Sequence, residues 1–180
     1  MAFSKTMAFL VALACLLSYS EAGRHILSQS DTSLVVQVCS NTTDAKYCKH
    51  VLFSDSRAAS ADPVVLAYIA NSLAYNKAQE ILDLVQTKIN SGGNENILAG
   101  FKGCQGSYTK AGRAMMEVLG NLDSETYYGF DMLADTAEDE IKACENGFGQ
   151  PQSPIAKENG DMLKLVNICS VVATLFSYSN

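Results

Sequence analysis

Cys39 and Cys48 bracket an Asn-x-Thr sequon in the stretch CSNTTDAKYC. Cysteines at short spacing admit three chemistries: metal ligation, thiol redox exchange and a structural bridge. A zinc site needs four ligands at spacings such as Cys-x2-4-Cys, and the chain has none. A redox couple needs Cys-x-x-Cys, which is also missing. The two histidines, His25 and His50, lie far from Cys104 and Cys144 and offer no Ser/His/Asp or Cys/His constellation. Asp135, Glu138, Asp139, Glu140 and Glu145 could supply paired carboxylates for acid–base work. Ala134, Ala137 and Ile141 take the buried side of that segment, so its carboxylates read as a solvated helix face. Tyr68, Tyr75, Tyr108, Tyr127 and Tyr128 could line a pocket, but their helical spacing places them in a core or at the edge of a groove. There is no Gly-x-Gly-x-x-Gly, phosphate loop or calcium loop, the motifs that would hold a nucleotide or a cation. Asn41 in Asn41-Thr42-Thr43 is a candidate glycosylation site. The sequence offers no active site, no metal and no cofactor motif, so it points to a protein that binds rather than catalyses.

The N-terminus decides between a reduced and an oxidised fate for the thiols. Lys5 precedes the apolar run Met7 to Leu17, which is too short to span a bilayer. Small residues at Ser20 and Ala22 then suit cleavage of a secretory signal peptide spanning residues 1–22. The expected product is a secreted, extracellular domain of residues 23–180. Cys15 leaves with the signal, and five of the six cysteines remain. In an exported chain they should be oxidised where geometry permits, with one thiol left over. The charge is acidic, Asp+Glu 19 against Lys+Arg 13, with no basic cluster. Neither nucleic acid nor an anionic membrane is therefore an expected partner. The apolar run 163–176 carries Lys164 and Asn167 and reads as a core helix.

Hydrophobic periodicity supplies the elements that position these residues. Asp62 and Pro63 suit an N-cap and first helical position. Ala67, Ala70, Ala74, Ala78, Ile81, Val85 and Ile89 then step by three or four, until Gly92-Gly93 stops the helix. A second stripe runs Ile97, Phe101, Cys104, Tyr108, Ala111, Met115, Leu119 and Leu122, ending in a turn expected over 120–124. The third is Tyr127, Phe130, Ala134, Ala137, Ile141, Cys144 and Phe148. After a breaker region at 147–154, Ser153-Pro154 should repeat the cap-and-proline device ahead of Met162, Leu165, Cys169, Val172 and Phe176. The expectation is an all-α fold: an up-down-up-down four-helix bundle over 60–180, preceded by a disulfide-clipped helical hairpin arm over 24–59.

That map pairs the cysteines. In an antiparallel hairpin, residues equidistant from the turn face one another. Residue 124, in the turn after the second helix, lies midway between Cys104 and Cys144, so these two should staple neighbouring helices. Cys39 and Cys48 are centred on Asn41–Asp44 and should clip the arm. Cys169 is then the free thiol, acting as a small buried hydrophobe.

These features together carry a resemblance. A cysteine pair in a short N-terminal hairpin, Ala61-Asp62-Pro63 opening the first long helix, Cys104 in the second and Cys144-Glu145-Asn146-Gly147-Phe148 closing the third resemble the plant invertase/pectin methylesterase inhibitor family. Cys169 in Asn167-Ile168-Cys169 falls where that family often keeps an unpaired cysteine. The stretch Ser153 to Asn159 is similar to the invertase-inhibitor branch, which includes pollen allergens. The resemblance implies a four-helix bundle with a helical hairpin and no cofactor. It also implies a one-to-one complex that obstructs the cleft of a secreted pectin methylesterase or invertase in the plant cell wall, with the vacuole as the other destination. Invertase-directed members carry a Pro-Lys-Phe element between the third and fourth bundle helices. Here that segment reads Gly149-Gln150-Pro151-Gln152-Ser153-Pro154, without Lys-Phe, and Ala143 stands before Cys144 where threonine is common. These six residues are the expected target-contact loop, together with a helix face. A small apolar-ligand carrier is the competing reading, which the alanine-rich stripes argue against because they favour close packing over a cavity.

Overall fold

A computed structural model describes residues 33–149 and 153–177. The expected signal peptide, Cys15, His25 and the loop residues Gln150, Pro151 and Gln152 lie outside these. The described chain is all-helical, with α1 (Leu34–Ser40), α2 (Ala45–Leu52), α3 (Pro63–Asn90), α4 (Glu95–Asp123), α5 (Phe130–Asn146) and α6 (Ala156–Ala173), plus short 3-10 turns at Ala58–Ser60 and Thr174–Phe176.

Four helices start on a side-chain cap. Ser33, Asp44, Asp62 and Asn94 each accept a hydrogen bond from a backbone N–H of the first turn, which would otherwise lack a partner. Gly92 and Gly93 adopt φ of 69° and 136°. Only glycine enters that region readily, and it frees the chain to reverse between α3 and α4. Each of α4 to α6 packs on the helix before it, and α3 closes the ring against α6. This is the up-down-up-down bundle. The four stripes supply its core: Ala67, Ala70, Ala74 and Ala78 of α3 are buried, as are Phe101, Tyr108 and Met115 of α4, Ala134 and Ile141 of α5, and Met162, Leu165 and Val172 of α6. The short alanine side chains let α3 approach its neighbours closely.

Two boundaries differ from the sequence expectation. Helix α4 continues through Gly120 to Asp123, and the turn falls at Ser124–Gly129. Leu122 is buried, and retaining it in the core outweighs the helix cost of one glycine, about 1 kcal/mol. Ser153 does not cap α6. The helix starts three residues later, after Ile155, with no side-chain cap, because the Ser153 hydroxyl is engaged elsewhere.

The arm is an αα-hairpin clipped by the Cys39–Cys48 disulfide, with Cα atoms 5.4 Å apart. Val35, Val38 and Leu52 are buried, so it belongs to the same hydrophobic core. It docks on α6 through polar contacts as well. The Thr43 backbone N–H and hydroxyl both donate to Asn167 Oδ1, at 2.9 and 3.1 Å. Lys164 Nζ lies 3.2 Å from the Asp44 carboxylate and 5.1 Å over the Tyr47 ring.

Candidate functional site

The connection from α5 to α6 carries the residues expected to meet a partner, and its anchor is polar. Glu145 sits in the last turn of α5 with both carboxylate oxygens engaged. Ser153 donates its backbone N–H to Oε1 at 3.1 Å and its hydroxyl to Oε2 at 2.6 Å. Asn159 Nδ2, from the first turn of α6, donates to Oε2 as well and lies 3.2 Å from Ser153 Oγ. On the inner side, the Tyr108 hydroxyl of α4 donates to Asn159 Oδ1 at 2.8 Å. Asn159 is 1% exposed and Ser153 5%, so the network closes in the protein interior. An unpaired member there would cost about 1–3 kcal/mol. The network ties three helices and the far end of the loop to one carboxylate.

The electrostatics follow from these partners. Burial pushes the Glu145 carboxyl up, but hydrogen bonds from the Ser153 hydroxyl, Asn159 and the Ser153 N–H outweigh it and hold the group below its ordinary value, since they favour the charged form. Burial, then the charges of Glu145 and Glu158, push the Tyr108 hydroxyl well above its usual range, so it stays a donor.

Apolar packing fixes the near end of the loop. Phe148 is buried and stacks edge-on against Phe101 at 5.1 Å. A Cβ at Gly100 would overlap the Phe148 ring, so the glycine makes room for it. Beside this contact, Cys104 of α4 and Cys144 of α5 form a disulfide with Cα atoms 4.4 Å apart. Gly149 is exposed with φ of 62°, Ser153 is buried and Pro154 is exposed. The contact-loop residues within the described structure thus divide into an anchor, Ser153, and two outward positions. Cys169 is unbonded and buried, and burial pushes its thiol up to about 12, which keeps it protonated and unreactive.

The acidic run is split by the fold. Asp135 and Asp139 are on α5 away from the core, Glu138 pairs with Lys142 and Glu140 with Lys110. Glu145, half-buried, alone accepts hydrogen bonds from the buried Ser153 and Asn159, a role not apparent while it is grouped with the solvated face. The local sequence carries no signal for it, because its partners Ser153 and Asn159 come from beyond the breaker. Among the described residues no cluster of three or more His, Cys, Asp or Glu could hold a metal ion, and no helix is long and apolar enough to cross a membrane.

Comparison with known proteins places this geometry. Residues 33–174 match the family model described as plant invertase/pectin methylesterase inhibitor. A protein named "Putative invertase inhibitor" from Platanus orientalis is 26% identical over 132 residues, covering 72% of this chain and 78% of that protein. A protein of the same name from Platanus acerifolia is 25% identical, covering 72% and 74%. In fold, the chain is similar to a crystal structure of mutant form A of a pectin methylesterase inhibitor from Arabidopsis. That match has a TM-score of 0.71 and 19% identity, and it covers 80% of this chain and 97% of that one. A second Arabidopsis thaliana pectin methylesterase inhibitor structure matches with a TM-score of 0.60, 20% identity and coverage of 81% and 97%. With the match to its model spanning both the arm and the bundle, the chain belongs to the plant invertase/pectin methylesterase inhibitor family.

Proposed function

We propose that the protein is a secreted inhibitor that binds a pectin methylesterase or an invertase in a one-to-one complex and obstructs the target's cleft. The observation that carries this reading is the family match across residues 33–174. The structure supports a binding role by presenting a rigid bundle with an anchored loop. Interfaces on rigid elements lose less conformational entropy on association. The working domain is residues 23–180 after removal of residues 1–22, in the apoplast. Contact falls on the loop Gly149, Gln150, Pro151, Gln152, Ser153 and Pro154 with the adjoining helix face. Ser153 acts from behind as the anchor, and Gly149 and Pro154 face outward. Asn41 is exposed at the end of α1 and carries the glycan on the arm, away from that loop.

Residues 23–180, added in excess to purified pectin methylesterase and to purified invertase at acidic and neutral pH, test the reading. Loss of one activity at one equivalent of inhibitor is expected and identifies the target. Full activity of both enzymes throughout overturns it.

A further inference from the structure

The opposite end of α5 carries a feature that the inhibitory loop leaves unused. Helix α5 is 17 residues long. Its length of about 25 Å, at the rise of an α-helix, separates its C-terminal loop from the turn that enters it. At that entry lies a groove of about 550 Å³ lined by Tyr127, Tyr128, Phe130, Asp131, Met132 and Phe176. The Phe176 ring lies 5.7 Å from Tyr127 and 5.0 Å from Phe130. Gly129, with φ of 77°, turns the chain before α5 and leaves Tyr128 outside the helix. Tyr128 is 75% exposed and Met132 62%, two of the most exposed large apolar side chains of the described protein. Exposed Tyr and Met gathered around a concave surface mark a recognition site more often than a solvated face.

Charge decides what such a site would accept. Between Arg113 and Lys142 the sequence has no Lys or Arg, yet it carries Glu117, Asp123, Glu125, Asp131 and Asp135. Residues 63–76 and 165–177 contain no charged residue, while the arm, which packs beside Val171, Thr174 and Leu175, carries Lys46, Lys49 and Arg57 as well as Asp44 and Asp55. The groove's own lining is negative, since Asp131 is the one charged side chain among its described lining residues. A second copy would bring two acidic ends together, and an anionic polymer or lipid surface would be repelled. A cation fits both features, because it is attracted to the face of an aromatic ring and to a carboxylate beside it. The protein already builds this arrangement internally, where Lys164 lies over Tyr47 and beside Asp44.

We propose that this groove is a second binding site, independent of the inhibitory loop, which takes an arginine- or lysine-bearing segment of a partner protein. The cation stacks on Tyr128 and pairs with Asp131. The test is an amide-resolved NMR titration of residues 23–180 with a capped peptide, Gly-Arg-Arg-Gly. The matching diglutamate peptide and an uncharged cellotetraose serve as the other arms. The diarginine peptide alone should shift the amides of 127–132 and 173–177, and added salt at about 0.5 M should suppress the shifts. Tyr128→Ala, at an exposed position outside any helix, should weaken binding about tenfold, and Asp131→Asn about threefold. Unchanged binding in Tyr128→Ala overturns the proposal. So do shifts from cellotetraose of equal size, or concentration-dependent shifts of the same amides without peptide, which would give the groove to a sugar or to a second copy. Binding that appears only after deletion of 178–180 would assign the groove to the chain's own end and also overturns it.

Discussion

Glu145 shows how one side chain can tie the end of one helix to the approach of the next. Its carboxylate accepts three hydrogen bonds, and such charge-assisted bonds are stronger than bonds between neutral groups. Its folded pKa is depressed below the ordinary 4.5. Its contribution is therefore present above that value and fades as pH falls through the folded pKa. Glu145→Gln keeps the shape but removes the titration. The melting temperature of the wild type should therefore drop more steeply than that of Glu145→Gln as pH goes from about 5 to about 3. Asp55, held at about 2 by hydrogen bonds from Arg57, titrates in both proteins, so the difference between the two curves isolates Glu145. Parallel curves would mean that the carboxylate charge is not used.

At the scale of helices, two contacts decide how the elements meet. Gly100 of α4 leaves the space that Phe148 fills at the end of α5. Gly100→Ala gains up to about 1 kcal/mol of helix propensity but must displace an aromatic ring in a packed core, a cost of about 1–3 kcal/mol. The net effect should be a modest loss of stability, about 1 kcal/mol by urea denaturation, with weaker inhibition if the proposed contact loop that Phe148 leads into meets the target. A variant more stable than wild type would show that the ring yields freely. The arm offers the second test. Cys39 and Cys48 close a loop whose entropic worth is about 3 kcal/mol, while Val35 and Leu52 bury into the shared core. Cys39→Ser with Cys48→Ser should accelerate amide exchange across 34–52 while α3 and α4 stay protected, because the bundle keeps its own Cys104–Cys144 staple. Equal acceleration in all helices would make the arm part of one cooperative unit.

The whole molecule carries a formal net charge of −6, which sets the conditions under which it finds a partner. Against a basic target enzyme this field raises the association rate and is screened by salt. The association rate constant, measured by stopped flow, should fall about tenfold or more between about 0.02 and 0.5 M NaCl, with a smaller change in the dissociation rate. A salt-independent association rate would remove electrostatic steering from the account.

Much of this architecture was legible in the residues themselves. Steps of three and four in Ala67–Val85, Phe101–Met115, Phe130–Cys144 and Met162–Val172 state a helical period that neighbours in sequence suffice to reveal. Asp62 and the Gly92-Gly93 pair mark ends by local backbone chemistry, which also needs no tertiary context. The end of α4 was not legible, because the burial of Leu122 against other helices overrides the glycine before it. Nor was the role of Glu145, which looks like one more carboxylate in an acidic run. Local rules fix the period and the caps of a helix. Which polar side chain turns inward depends on what lies opposite it. Only the approach of Ser153, Asn159 and Tyr108 from three separate segments supplies the hydrogen-bonded network that lets the half-buried carboxylate satisfy the buried polar groups beside it.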